Sequence, residues 1–354
     1  MSLDLSADLV TLLRRLVDVE SVSGNEGPLA DLVEAALRDQ PHLAVVRDGD
    51  SVIARTELGR AERVVIAGHL DTVPVADNLP SQVVGDRVYG RGACDMKGGV
   101  AVALACAAAL RAPDRDITWI FYDHEEVAAE QNSLTRIARE HPEWLAGDFA
   151  VLMEPTSAQV EGGCQGTLRF VLRAGGVAAH SARAWLGHNA IHDLADPLGR
   201  LARYQPREVA VDGLTYREGL NAVAVGGGIA GNVIPDAASI TVNFRFAPDR
   251  DEADAKGHCR EVFDGYDLEF IDFALGARPG LDRPIAREFL AAVGGPPSAK
   301  FGWTDVARFS ALGMPAVNFG PADPGKAHAD DEFTPIADLY TCRDALLRWL
   351  APRG

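Results

Sequence analysis

Three short and almost wholly apolar runs, "RVVIAG" (63–68), "ITWIFY" (117–122) and "DFAVLM" (148–153), constrain this chain most. Strands buried on both faces read as continuous hydrophobic stretches, and such strands belong to parallel sheets covered by helices on each side. Helical patterns alternate with them here. "DLSADLVTLLRRLVDVE" sets Leu9, Leu12, Leu13 and Leu16 on one stripe behind Ser6 as a candidate N-cap. "EGPLADLVEAALRD" repeats the stripe with Leu29, Leu32, Val33 and Leu37, and the Ala-rich "GGVAVALACAAALRA" suits a helix packed closely between neighbours. The alternation predicts an α/β fold with an open, mainly parallel sheet flanked by crossover helices.

The middle of the chain has a different period. In "SITVNFRFAP", Ile240, Val242, Phe244 and Phe246 fall on one face and Ser239, Thr241, Asn243 and Arg245 on the other, and "TLRFVLRAGG" alternates likewise. Between them "NAIHDLADPLGRLARY" is helical, with Pro197 expected to kink or split it. One-sided strands with a helix predict a smaller α+β layer over 166–278, inserted into a larger domain formed by 1–165 and 279–354. Two domains suit 354 residues, because a single core stops growing at about 250 to 300. After residue 280, "MPAVNFG" reads as a strand and "TPIADLYTCRDALLRWLA" as a closing helix, with Thr334 as N-cap and Pro335 at its first position.

A formal charge of -17 argues against nucleic-acid and anionic-membrane partners, since phosphates are repelled on average. An anionic substrate would need positive charge gathered locally. Five cysteines without CxxC spacing, Cys94, Cys106, Cys164, Cys259 and Cys342, suggest reduced thiols. No basic leader and no long apolar stretch are present, so a cytoplasmic location is expected.

The apolar runs end in ionisable residues. His69 and Asp71 follow the first, Asp123, His124, Glu125 and Glu126 the second, and Glu154 the third; His328 comes shortly after "PAVNFG", and Asp95 precedes the Ala-rich helix. Ligands of open α/β sheets bind beyond the carboxyl ends of the strands, so these side chains could meet in one crevice. Carboxylates and imidazoles crowded together without a cation repel and are poorly solvated, whereas a bound divalent metal removes that objection. His, Asp and Glu without Cys suit a hard-to-borderline ion such as zinc. Taken singly, each motif is more simply a solvated turn; their recurrence at every outer strand carries the reading.

As an ordered set, "HLDTVP", "GRGACDMKGGVA", "DHEEV", "MEPT", "AHSARAWLGHNAI" and "KAHADDE" resemble the motifs of the dinuclear-zinc deacylase and peptidase family. That family includes succinyl-diaminopimelate desuccinylase, acetylornithine deacetylase, aminoacylase and carboxypeptidase G. The resemblance implies a zinc-peptidase-like catalytic domain and, in 166–278, a lid and dimerisation domain. It further implies two divalent ions, zinc or cobalt in its place, bridged by Asp95. His69 and Glu154 would complete one position, Glu126 and His328 the other. Asp71 would orient His69, Glu125 would be the general base, and His180 from the lid would stabilise the oxyanion, in relatives across a homodimer. His124, His188 and His192 read as packing residues, Asp123 as structural, and the acids after His328 as a solvated loop.

"VGGGIAG" contains a literal GxGxxG at Gly226, Gly228 and Gly231, but Pro235 and a period-two strand follow where a dinucleotide site needs a helix. The family reading instead brings Asn232 to the substrate. Arg183 and Arg245 suit bidentate recognition of carboxylates, which points to a small molecule carrying several of them. "GGCQGTLRF" and "AHSARAWLGHNAIH" look most like the actinobacterial-type desuccinylases, which implies hydrolysis of N-succinyl-LL-2,6-diaminopimelate. "GWTDVARF" departs from their Gly-Thr-Ser-Asp type of loop, so Thr304 carries over as a substrate contact only in part. A relative such as acetylornithine deacetylase or a dipeptidase shares all the ligands, and a non-catalytic metal-binding protein is the reading of a different class.

Overall fold

The three apolar runs lie side by side in the computed structural model, which describes residues 2–352. Strand Arg63–His69 runs parallel to Asp116–Tyr122, with His69 opposite Tyr122, and parallel to Phe149–Leu152, with Ala67 opposite Leu152. Ala316–Asn318 continues the parallel pairing, Asn318 opposite Leu152. These registers bring the carboxyl ends of four strands to one edge of an eight-stranded sheet. Two antiparallel strands, Ala44–Asp48 and Ser51–Arg55, extend the sheet beyond Asp116–Tyr122.

Helix Gly98–Ala109 is buried along most of its length, and its glycines and alanines let Leu9–Val17 and Ile336–Leu350 pack closely against it. Leu9, Leu12, Leu13 and Leu16 are buried as their spacing predicts. Two caps differ from the sequence expectation. Helix Leu9–Val17 is capped by Asp8, whose Oδ1 accepts the Thr11 N–H at 3.0 Å, and Ser6 lies outside it. Helix Ile336–Leu350 starts behind Pro335, because the Thr334 hydroxyl is committed to the Ala93 carbonyl.

The chain divides into two compact units, one of Met1–Gly162, Pro279–Ser298 and Arg308–Gly354, the other of Gly163–Arg278 and Ala299–Ala307. The smaller unit holds a four-stranded antiparallel sheet in the order Gly219–Gly227, Ala237–Phe246, Gly166–Gly175, Leu268–Ala274. Ile240, Val242, Phe244 and Phe246 are fully buried on one face with Leu194, Ala255, Cys259 and Phe263 from its helices. The helical segment splits at Leu194, and Pro197 occupies the first turn of Ala195–Arg203, where its missing N–H costs nothing. Gly226 lies within a strand and no helix follows, which removes the dinucleotide reading on structural grounds.

Glu218 anchors this unit from inside. Its side chain is fully buried and accepts from Arg207 at 2.9 Å, Arg250 at 2.7 Å and the Ala247 N–H at 3.1 Å. Removing one partner of such a pair strands the other's charge, so Glu218→Ala is expected to cost about 3–5 kcal/mol. Urea unfolding of the variant checks this; a loss under about 1 kcal/mol would contradict it.

Candidate metal centre

Every outer candidate sits at the strand edge just described. His69 ends its strand, buried, with Nδ1 at 3.0 Å from the Asp71 carbonyl and Nε2 at 3.2 Å from Asp95 Oδ1. Asp95 lies in the turn Ala93–Lys97 ahead of the small-residue helix. Its other oxygen is 3.4 Å from His328 Nε2, and that nitrogen is 3.0 Å from Glu126 Oε1. One atom each from His69, Asp95 and Glu126 lies within 4.8 Å of the others, so the donor set fits a divalent cation. Four side chains drawn from one strand end, one pre-helix turn and two loops thus form a continuous chain of contacts.

Glu154 reaches the same edge through glycine. A Cβ on Gly99 would come within 2.1 Å of the Met153 carbonyl, and one on Gly320 within 2.4 Å of that carbonyl and 2.6 Å of the Glu154 carbonyl. Only glycine lets these backbones close around Met153–Glu154. Glu154 is buried, and with Asp95, Glu332 and Asp323 it adds to the burial that raises the neighbouring Cys94 thiol.

Asp71 does more than face His69. Its carboxylate accepts the Glu125 N–H on Oδ1 and the Glu126 N–H on Oδ2, both at 3.0 Å, and the Ser23 hydroxyl at 2.6 Å. A single buried acid therefore fixes the backbone of the two adjacent glutamates. The preceding residue makes this turn: His124 adopts φ 62°, its N–H is held by fully buried Glu26 at 3.2 Å, and its ring bonds to Asp123 at 2.8 Å. Extended geometry has ended at Tyr122, so no strand alternation relates His124 to Glu125. Asp123 itself is buried and bonds to Ser51.

Ser23, Glu26 and Glu332 carry no mark in the sequence. Glu332, expected to be solvated with Asp330 and Asp331, is instead buried, because Arg91 and three backbone N–H groups surround its carboxylate. Its two neighbours do face solvent.

The electrostatics favour a cation. Burial works against the charged form of Asp95, yet hydrogen bonds from His328 and His69 hold its carboxyl well below the usual range. Hydrogen bonds to Asp95 and Glu126 push His328 up to about 10. His69 is raised too: burial opposes its protonation, but Asp95, Asp71 and Glu125 prevail. Carboxylates that favour protonated imidazoles would also favour a divalent cation, which would compete with those protons for the same nitrogens.

The remaining candidates lie in the smaller unit. His180 pairs with Val233 in a two-residue strand, is exposed, and accepts the Ala182 N–H on Nδ1 at 3.1 Å. Asn232 accepts the Ser181 N–H at 2.9 Å, and Arg183 is exposed in the following turn. His180, Arg183 and Asn232 thus share one corner, beside the start of Ala237–Phe246. Arg245 lies near the far end of that ten-residue strand, paired with Gly219 and Thr167, about 25 Å along. Buried Thr304 is tied to the Arg245 end through Cys164, whose thiol donates to its carbonyl. His188 bonds to Asp193 at 2.7 Å, and His192 lies 3.4 Å from Asn189.

All five cysteines are buried and free. Among the described residues, no helix is long and apolar enough to cross a membrane.

Comparison with known proteins identifies the family. Residues 65–351 match the profile of peptidase family M20/M25/M40. A putative succinyl-diaminopimelate desuccinylase, DapE, of Mycobacterium tuberculosis is 55% identical over 351 residues, covering 98% of this chain and 99% of its own. The succinyl-diaminopimelate desuccinylase of Corynebacterium glutamicum is 49% identical over 360 residues, covering 99% and 98%. Among solved structures, the YXEP protein of Bacillus subtilis, described as a dinuclear metal binding peptidase, superposes with TM-score 0.71 at 18% identity over 96% of each chain. By these matches, the chain belongs to peptidase family M20/M25/M40.

Proposed function

We propose that this protein is a metal-dependent amide hydrolase that removes the succinyl group from N-succinyl-LL-2,6-diaminopimelate, giving succinate and LL-diaminopimelate. The observation that carries the reading is the unbroken contact chain His69, Asp95, His328, Glu126 beside Glu125 at the sheet edge. The two relatives that share about half of their residues with the chain over its full length supply the substrate.

His69 and Glu154 would hold one ion and Glu126 and His328 a second, with Asp95 between them. Zinc suits the donors, and cobalt shares their chemistry. When bound, the ions lower the pKa of a water and polarise the acyl carbonyl. Glu125 takes the proton of the attacking water and returns it to the departing amine. Asp71 keeps that carboxylate aimed by holding the Glu125 backbone rather than its side chain. Two adjacent glutamates thereby divide the work between metal and water.

Among the described residues the Arg245 guanidinium meets no hydrogen-bond or ion-pair partner, and burial lowers its pKa, so a substrate carboxylate would satisfy this half-buried group. Arg183, Asn232 and Thr304 are further substrate contacts. The homodimer belongs to the same reading, with His180 stabilising the oxyanion in the partner subunit's site. Strand Gly219–Gly227 is an edge strand, and Val223 and Val225 within it and Ile229 just beyond it are exposed, which suits strand pairing between copies.

Zinc-loaded protein assayed against succinyl-diaminopimelate, acetylornithine and a dipeptide side by side is expected to hydrolyse the first with kcat/KM at least about a hundredfold higher, since unmatched polar groups in a specific pocket discriminate strongly. Preference for acetylornithine would overturn the substrate and leave the metal chemistry standing.

A further inference from the structure

The mechanism assigns no task to Glu332, yet its carboxylate is 2% exposed and has a donor on every side. Oε1 accepts from Arg91 Nη1 at 2.7 Å and the Gly92 N–H at 2.8 Å; Oε2 accepts from the Cys94 N–H at 3.2 Å and the Asp95 N–H at 3.4 Å. Arg91 Nη1 also donates to the carbonyl of Ala329, the residue after His328, at 3.3 Å. The Gly90 N–H returns to the Glu332 carbonyl at 3.3 Å, and Asn78 donates to the Asp330 carbonyl at 3.1 Å. One buried ion pair thus fastens the loop that carries Asp95 to the loop that carries His328, although the two are more than 200 residues apart in sequence.

The two halves of the centre are supported differently. His69 and Glu154 project from the ends of strands that pair directly, Ala67 with Leu152. Glu126 and His328 come from loops, and His328 adopts φ 64°, where no ladder holds it. The strand-borne half is therefore registered by backbone pairing, while the loop-borne half depends on side-chain ties.

We propose that Glu332, paired with Arg91, is a positioning residue that fixes Asp95 and His328 relative to one another and so sets the affinity of the metal position formed by Glu126 and His328. This rests on the two-ion reading above. Glu332 touches neither substrate nor metal; it acts through the backbone of residues 92–95 and the ion pair with Arg91. A carboxylate is required because four N–H donors converge on it, and a neutral amide offers one acceptor oxygen in place of two.

The test is stepwise cobalt(II) titration of metal-free wild type, Glu332→Gln and Glu332→Asp, followed by visible absorption, with the unfolding midpoint of each metal-free protein measured alongside. Wild type is expected to take two ions. Glu332→Gln is expected to keep the first equivalent and its spectrum but to bind the second about 10–100-fold more weakly, with an altered absorption band. Glu332→Asp, which keeps the charge, is expected to recover part of that loss. Arg91→Lys, unable to span Glu332 and Ala329 with one fork, is expected to shift the same equivalent and carries the test if Glu332→Gln does not fold. Second-equivalent affinity within about twofold of wild type overturns the inference, as does parallel weakening of both equivalents with a lowered metal-free midpoint, which marks a role in the fold alone. Wild-type protein that takes fewer than two ions overturns the two-ion reading and this inference with it.

Discussion

Glu125→Ala is expected to retain both metal ions and lose turnover by about a thousandfold or more, the upper part of what a positioned general base contributes. The two consequences separate because of how the adjacent glutamates are held. Glu126 meets His328 at 3.0 Å, so that contact stays when Glu125 is shortened. Both backbone N–H groups remain on Asp71, so the turn keeps its shape. The loss should fall on kcat more than on KM, since the base acts in the transition state. Steady-state kinetics together with metal analysis of the same preparation check both parts. An alanine variant that turns over at wild-type rate would refute the assignment, and one that loses its metal would place Glu125 among the ligands instead.

Asp95→Ala should have the opposite signature, with metal content falling for both positions and activity falling to background. Asp95 is the carboxylate whose oxygens approach both His69, at 3.2 Å, and His328, at 3.4 Å. Its side chain is only 13% exposed, so its removal leaves a gap between two imidazoles in which each remaining donor set has lost a shared anion. His328→Ala, by comparison, should spare the ion on the strand-borne side. Elemental analysis after dialysis distinguishes the two variants. Retention of two ions by Asp95→Ala would remove Asp95 from the bridging role.

The sequence disclosed those parts of the molecule that repeat a local pattern. Apolar runs at 63–68, 117–122 and 148–153 became parallel neighbours because a strand buried on both faces leaves no other reading, and their charged ends converge because parallel strands share a carboxyl edge. Period two in "SITVNFRF" announced a one-sided strand for the same local reason. The ties among loops were hidden. Glu332 follows two exposed aspartates in the chain, and nothing local distinguishes a solvated acid from one surrounded by Arg91 and the N–H groups of residues 92–95. Glu26 and Ser23 precede a helix as many acids and serines do, and only the fold brings them to His124 and Asp71. The same holds for residues 299–307, which cluster with the smaller unit although the surrounding segments pack in the larger one.

The account stands on one arrangement, paired cations set among acids from distant parts of the chain. Anomalous diffraction from crystals of the zinc-loaded protein, recorded on either side of the zinc absorption edge, tests it directly. The expected map has two peaks with Asp95 between them, one beside His69 and Glu154 and the other beside Glu126 and His328. A single peak, or peaks away from Asp95, would contradict it.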